Sequence, residues 1–278
     1  MNKTRFSVIT VCLNAEKEIE YTINSVLNQD DTDYEYLIKD GQSNDATIEI
    51  AEKYRDRFRE KNISFRIISE KDEGLYDAMN RSAGYANGEW IMYLNAGDAL
   101  FDEHVFTRLS SEVSEKYDVI YGNTVLLENG KYKLLKAGET SCLKNYNPIC
   151  HQSSITRTEI VRKYLFDAKY EIAADFDLFI KIFSADEKCF RKLDDTLCIY
   201  RLGGVSSNRV LKREKEFDAS RRSNGLKRVA FPHLQITRVV LIEGTRKLAK
   251  KILGKNFYSE KRGWYPEKYK AAQWRKID

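Results

Sequence analysis

The first hundred residues alternate apolar, β-rich runs with amphipathic stretches, and each apolar run leads into polar residues. RFSVITVCL reads as a strand. In the stretch after it, Ile19, Ile23, Val26 and Leu27 fall at i, i+4, i+7 and i+8, one face of a helix. YEYLIKD is a second strand closing on Asp40-Gly41, and QSND leads into a helix from about Ala46 with Asp45 as its N-cap. ISFRIIS is a third strand. The loop EKDEG then precedes a helix with Leu75, Ala78, Met79, Ser82, Ala83 and Ala86 on one face, and EWIMYLN is a fourth strand. Strands separated by helices of this length imply right-handed crossovers and a parallel sheet. Ligands of such sheets bind beyond the carboxyl ends of the strands. Asn14, Asp40, the loop around Asp72, and Asp98 all fall there, so topology alone makes them candidates.

After Leu100 the pattern changes. A helix from about Glu103 leads to YDVIYGNTVLLENGKYKLLK, where Asn129-Gly130 suits a hairpin turn. The loop NYNPICHQSS, helices at TEIVRKYLF and near ADFDLFIKIFS, a strand pair through CFRKLDDTLCIYRL and the loop GGVSSN follow. This half is α+β and is expected to form the acceptor side of a cleft. The expected organisation is a main domain over 1–209 in two halves, 1–100 and 101–209, which the family resemblance described below makes the nucleotide-binding half and the acceptor-side half. A basic helical extension occupies 210–278.

A chain of 278 residues, 42% hydrophobic and 32% charged, has the make-up of an ordinary soluble globular protein. No run approaches 18 apolar residues, so no spanning helix is expected. The N-terminal apolar stretch is β-rich and stops at Leu13, which reads as the first strand rather than a signal peptide. The five cysteines lack CxxC spacing and suit reduced thiols in a cytoplasmic protein. Charge is uneven: residues 210–278 carry 19 Lys and Arg against 7 Asp and Glu, net +12, leaving 28 against 35, net −7, for residues 1–209.

Five blocks in order, SVITVCLNAE, IKDGQSNDAT, SEKDEGLYDAMNRSAGYANGEW, YLNAGDAL and EIAADFDLFIKI, resemble the inverting glycosyltransferases of family 2, which have the GT-A fold. The resemblance spans roughly residues 5–205, and its third and fourth blocks look most like the subgroup that builds capsular or exopolysaccharide repeat units. It implies an α/β, Rossmann-like mixed sheet that binds a nucleotide-sugar.

The resemblance also implies roles for particular residues. Asp40 accepts the N3–H of a uracil, a proton that cytosine lacks, unless it only caps the turn before Gly41. Thr10 and Asn14 line the base pocket, and Asp72 and Arg81 approach ribose and base, with an exposed helical Arg as the competing reading of Arg81. The family's usual Asp-x-Asp or Asp-Asp is reduced here: Asp98 is the metal ligand, with Asn95 and Gly97 where other carboxylates might stand. Asp98 could instead cap the segment after it. Mg²⁺ or Mn²⁺ can be held by one carboxylate plus substrate phosphates and water, and such an ion stabilises a departing diphosphate. Asp175 matches the catalytic base, which takes the acceptor's proton; Glu usually precedes that base, and here Ala174 does. Asp177 points elsewhere and supports or caps. His151 and Gln152 lie beside the cleft, where contact with acceptor or diphosphate competes with a structural role, and Arg201 with Gly203–Ser206 either folds over the diphosphate or forms a turn.

Between Leu234 and Leu253, Leu234, Leu241, Leu248 and Ile252 share one helical face and Arg246, Lys247, Lys250 and Lys251 the opposite one. Such a helix suits an anionic membrane surface near a lipid-linked acceptor, or packs on the domain with a solvated basic face. The tail carries no recognisable nucleic-acid module. The expected activity is transfer of a sugar from a nucleotide-sugar, UDP-linked by the Asp40 argument, to a glycan or polyprenyl-linked hydroxyl. The alternatives are a sugar nucleotidyltransferase and a non-catalytic sugar-nucleotide or polysaccharide binding module. The first is disfavoured because CLNAEKEIE replaces the Gly-rich basic loop such enzymes carry after the first strand.

Overall fold

A computed structural model describes residues 4–128, 130–202 and 210–226. The chain begins with β1 (Phe6–Cys12), α1 (Ile19–Leu27), β2 (Tyr34–Asp40), α2 (Thr47–Glu52), α3 (Arg55–Glu60), β3 (Ser64–Ser69), α4 (Leu75–Tyr85) and β4 (Trp90–Tyr93). It continues through β5 (Ala99–Leu100), α5 (Val105–Glu112), β6 (Val119–Glu128), β7 (Lys131–Leu135), β8 (Ser154–Arg157), α6 (Thr158–Tyr164), α7 (Ala174–Ala185), β9 (Phe190–Arg201) and α8 (Val210–Ser223). The strands form one mixed sheet in the order β3-β2-β1-β4-β8-β6-β9-β5, with β7 added on β6. Strands β1 to β4 are parallel, and β8 joins β4 antiparallel. The parallel strands β1 to β4 are those the alternating pattern predicts, and the mixed α/β sheet is the one the resemblance implies.

Both faces of the sheet are covered. Phe6, Val8, Tyr36 and Ile38 face α1, α3 and α5, whereas Ile9, Val11 and Leu37 face α4 and α7. The predicted stripe of α1 is completely buried, and each such aliphatic side chain contributes about 1.5–3 kcal/mol of burial. On α4 the expected stripe is buried at Ala78, Met79, Ser82, Ala83 and Ala86, but Leu75 is exposed and faces a cleft, and Tyr76 is buried in its place. The stretch expected as one helix from Ala46 is two short helices broken at Lys53-Tyr54, and Asp45 Oδ1 still accepts the N–H of Thr47.

The expected strand pair near residues 190–202 is a single twelve-residue strand. LDD at 193–195 is absorbed as a bulge against β6 instead of turning, since Lys192 pairs with Tyr121 and Thr196 with Asn123. Asn123 Nδ2 donates to the bulged carbonyl of Asp194 at 2.6 Å, satisfying a group the ladder leaves open. The β6–β7 hairpin closes with Glu128 opposite Lys131, and Asn129 lies outside the described residues. So do Gly203–Ser206 and the Leu234–Leu253 segment.

At the amino end of the sheet, Glu35 is buried yet fully engaged. Its carboxylate takes Ser7 Oγ at 2.6 Å, the N–H and side chain of Asn87, and Arg66 Nη2 at 2.9 Å. Ser7 Oγ also accepts the N–H of Gly88 at 2.8 Å. This network leaves the opposite, carboxyl end of the sheet free for a ligand. All five cysteines are unbridged.

Candidate active site

Beyond the carboxyl ends of β1 and β4 lies a cleft of about 1130 Å³. Of the expected residues, Asn14, Asp72, Asn95, Asp98, His151, Gln152, Asp175 and Arg201 line it, and Thr10, Asp40 and Arg81 do not. The alternation of side chains along a strand separates these sets in part. Thr10 falls on the Val8 face, where its hydroxyl meets Tyr36 Oη at 2.9 Å and donates to the Leu94 carbonyl at 2.7 Å. Asp40 falls with Tyr36 and Ile38, fully buried, accepting from the Ser43 N–H at 2.9 Å, the Ser43 hydroxyl, and Ser69 Oγ at 2.7 Å. Fully buried beneath these serines, the carboxylate does not open onto the cleft. Arg81 donates from Nε to Asp77 Oδ2 at 2.8 Å on the open face of α4.

The neighbouring residue, Lys39, faces the other way. Its buried ammonium donates to the carbonyls of Asp40 (3.1 Å) and Glu70 (2.7 Å) and to Asp72 Oδ2 (3.2 Å), holding the loop between β3 and α4. Asp72 Oδ1 accepts the Gly74 N–H. Asn14 adopts a left-handed conformation (φ 51°), and its Oδ1 takes the N–H of Asn44 at 2.9 Å. These contacts build the β1–β2 end of the cleft.

The loop Asn95–Asp98 is shaped from α1. Thr22 Oγ1 donates to the Asp98 carbonyl at 2.7 Å and accepts the Gly97 N–H at 2.9 Å. Gly97 has φ +95°, a conformation that favours glycine. The Asp98 carboxylate, only 3% exposed, accepts the backbone N–H of Arg201 at 3.0 Å, and Gln152 lines the same cleft. Burial pushes the Asp98 pKa up to about 8 against the hydrogen bond from Arg201, so its ionised form is under-compensated. The Arg201 guanidinium lies over the Tyr21 ring at 5.4 Å, so the backbone of this residue, rather than its cation, grips Asp98.

Across the cleft, Asp175 stands in the first turn of α7. Its Oδ2 is 3.5 Å from His151 Nδ1. Burial of the imidazole lowers its pKa, but the pull of Asp175, aided by Cys150 and Asp98, leaves it raised above 6.5. His151 therefore touches Asp175 and lies within electrostatic reach of Asp98. Asp177 is completely buried and binds Ser220 Oγ (2.8 Å), Asn224 Nδ2 (3.1 Å) and Lys181 Nζ (2.8 Å).

Among the described residues, no group of three or more His, Cys, Asp or Glu side chains is arranged to hold a metal ion. Yet Asn95 Oδ1 and His151 Nε2 are buried without a hydrogen-bond partner among them, in the same cleft as the under-compensated Asp98. That donor set fits a cation whose remaining ligands are substrate oxygens and water. The residues missed from the sequence are Lys39, Thr22, Tyr76, Arg213, Glu216 and Phe217. Arg213 and Phe217 belong to α8 and line the cleft, although the expected boundary at residue 209 precedes them.

Residues 7–173 match the model of glycosyl transferase family 2. The chain is 28% identical over 212 residues to a PGL/p-HBAD biosynthesis glycosyltransferase of Mycobacterium bovis, covering 75% of this chain and 81% of that one. Among solved structures, it superposes on S. aureus TarS 1–349 in complex with UDP-GlcNAc with a TM-score of 0.63 at 19% identity, over 80% of this chain and 68% of that one. A mannosyltransferase from Pyrobaculum calidifontis in complex with GDP-Man and Mn²⁺ gives 0.63 at 16% identity, over 84% and 67%. The fold is thus that of the GT-A glycosyltransferases, and the chain belongs to glycosyl transferase family 2, as an enzyme of the glycosyltransferase class.

Proposed function

We propose that this enzyme moves a sugar, with inversion, from a UDP-sugar to a hydroxyl of a glycan or polyprenyl-linked acceptor in surface polysaccharide synthesis. The observation that carries the reading is the pair of carboxylates, Asp98 and Asp175, on one cleft, with His151 in contact with the second. Asn14 and Asp72 receive the nucleoside, with Asp40 acting from behind through Ser43. Arg81 steadies the nucleotide side of α4 through Asp77.

Asp175 takes the proton of the acceptor hydroxyl as its oxygen attacks the anomeric carbon on the face opposite the nucleotide. The bond to the diphosphate breaks with its electron pair leaving on the diphosphate, and the configuration inverts. His151 orients Asp175 through the 3.5 Å contact. A divalent cation, Mg or Mn, held at Asp98 with Asn95 beside it, would supply positive charge to the departing diphosphate. The Arg201 N–H keeps the Asp98 carboxylate in place, and Gln152 lines the cleft for the diphosphate or the acceptor.

No helix among the described residues is long and apolar enough to cross a membrane. The basic segment beyond them suits a cytoplasmic enzyme resting on an anionic membrane that carries its acceptor. A binding screen of UDP, GDP and dTDP with Mn²⁺, followed by release of free nucleoside diphosphate from the matching sugar donors, tests the reading. Preference for GDP or dTDP overturns the choice of donor, and release of pyrophosphate overturns the reaction.

A further inference from the structure

We propose that Glu216 of α8 is a positioning residue that sets Asp175 in its working orientation, an inference that rests on Asp175 being the base. Three successive backbone N–H groups ahead of α7 converge on this one carboxylate: Glu171 at 3.3 Å, Ile172 at 2.9 Å and Ala173 at 3.1 Å. Amides at the start of a helix have no partner within it, and a carboxylate there meets both the amides and the positive end of the helix dipole. From the other side, Tyr76 of α4 donates its hydroxyl to the Ile172 carbonyl at 2.9 Å. The peptide groups leading to Asp175 are gripped through N–H and C=O by two different helices.

The residues just after Asp175 are held by α8 as well. Phe176 packs on Phe217 with ring centroids 4.3 Å apart, and buried Asp177 binds Ser220 and Asn224. The α8 helix therefore fixes the backbone on both sides of Asp175, whose own side chain is left to the cleft and to His151. Such an arrangement settles the rotation of the first turn of α7. A misplacement of about 1 Å at a reacting group costs on the order of 100-fold in rate.

The test compares Glu216→Ala, Glu216→Gln and Tyr76→Phe with Asp175→Asn in the full chain. Three quantities are read: UDP affinity, UDP release from UDP-GlcNAc with Mn²⁺, and the imidazole NMR resonances of His151, one of three histidines. The expected result for Glu216→Ala is a fall in UDP release of about 10- to 100-fold. UDP affinity stays within about twofold, and the His151 resonances move as they do in Asp175→Asn. Glu216→Gln, which keeps one acceptor oxygen, should fall between wild type and Ala, and it replaces the Ala variant if that one does not fold. Unmoved His151 resonances in every Glu216 variant, with Asp175→Asn moving them, overturn the proposal. So does a loss of UDP affinity as large as the loss of rate. If Asp175→Asn leaves UDP release untouched, the base assignment fails instead, and the His151 resonances alone decide whether Glu216 holds residue 175.

Discussion

The backbone N–H of Arg201, the last residue of β9, donates to Asp98 Oδ1 at 3.0 Å, across 103 residues of chain. The two halves of the molecule thus meet on the carboxylate assigned to the cation. Since a main-chain group makes this contact, replacing the Arg201 side chain leaves the contact intact, whereas replacing Asp98 by a residue with no side-chain acceptor removes it.

Asp98→Asn should bind UDP with Mn²⁺ no better than without it, as titration calorimetry would show. The same change should stabilise the cation-free protein at pH 7, because a carboxyl whose pKa burial has pushed up to about 8 must take up a proton on folding, whereas an amide need not. Urea unfolding in EDTA reads the sign, and a destabilised variant would refute the under-compensated charge.

Asp175→Asn should reduce sugar transfer by about 10²- to 10⁴-fold, the usual worth of a general base. UDP affinity should be unchanged, because the amide keeps its shape and Asp175 stands across the cleft from Asp98. Transfer at the wild-type rate would exclude it as the base.

His104→Ala tests a pH-dependent contact remote from the cleft. Its hydrogen bond with Asp30 raises the pKa of His104 above 6.5. For Asp30, burial pushes up but the bonds from His104 and Thr107 prevail, so its pKa is lowered below 3.8. The His contribution is complete below pH 6.5 and lost as pH rises through the folded value; the Asp contribution is present above about 3.8 and lost as pH falls through its folded value. The stability gap between wild type and variant should be widest between about pH 4 and 6.5 and narrow on either side.

Gly88→Ala should destabilise the fold by about 1–3 kcal/mol. A Cβ at this position meets the Ser7 nitrogen at 2.5 Å and the Phe6 carbonyl carbon at 2.6 Å, both backbone atoms that cannot swing aside. Thermal unfolding measures it, and the folded fraction should still bind UDP, since Gly88 sits at the far end of the sheet.

Truncation after Leu226 should lower binding to vesicles containing anionic lipid by at least about tenfold, at roughly 1 kcal/mol per basic residue at the surface. A cut at residue 209 is a different experiment, because it also removes Glu216 and Phe217. Undiminished vesicle binding after the cut at Leu226 would exclude the basic segment as the anchor.

Much of this was legible in the chain itself. The four parallel strands, the buried stripe of α1, and the placing of Asn14, Asp72, Asp98 and Asp175 follow from periodicity, strand ends and motif order. Thr10 and Asp40 show the limit. Both stand at the correct end of their strands, but face alternation turned their polar groups toward Tyr36, Ser43 and Ser69. Asp98, by contrast, was identified as a single carboxylate, and the partnerless Asn95 and His151 atoms beside it became visible only after folding.

The amino-acid sequence by itself determined the class of sheet, the end of it that carries the cleft, and the carboxylates that reach that end, because these depend on local periodicity and chain order. Only the tertiary structure decided what holds those carboxylates. The Arg201 N–H on Asp98, the Lys39 ammonium behind Asp72 and the Glu216 grip ahead of Asp175 join residues 103, 33 and more than 40 positions apart. Contacts at such separation leave no periodic trace in the chain, since they depend on how the helices pack against the sheet.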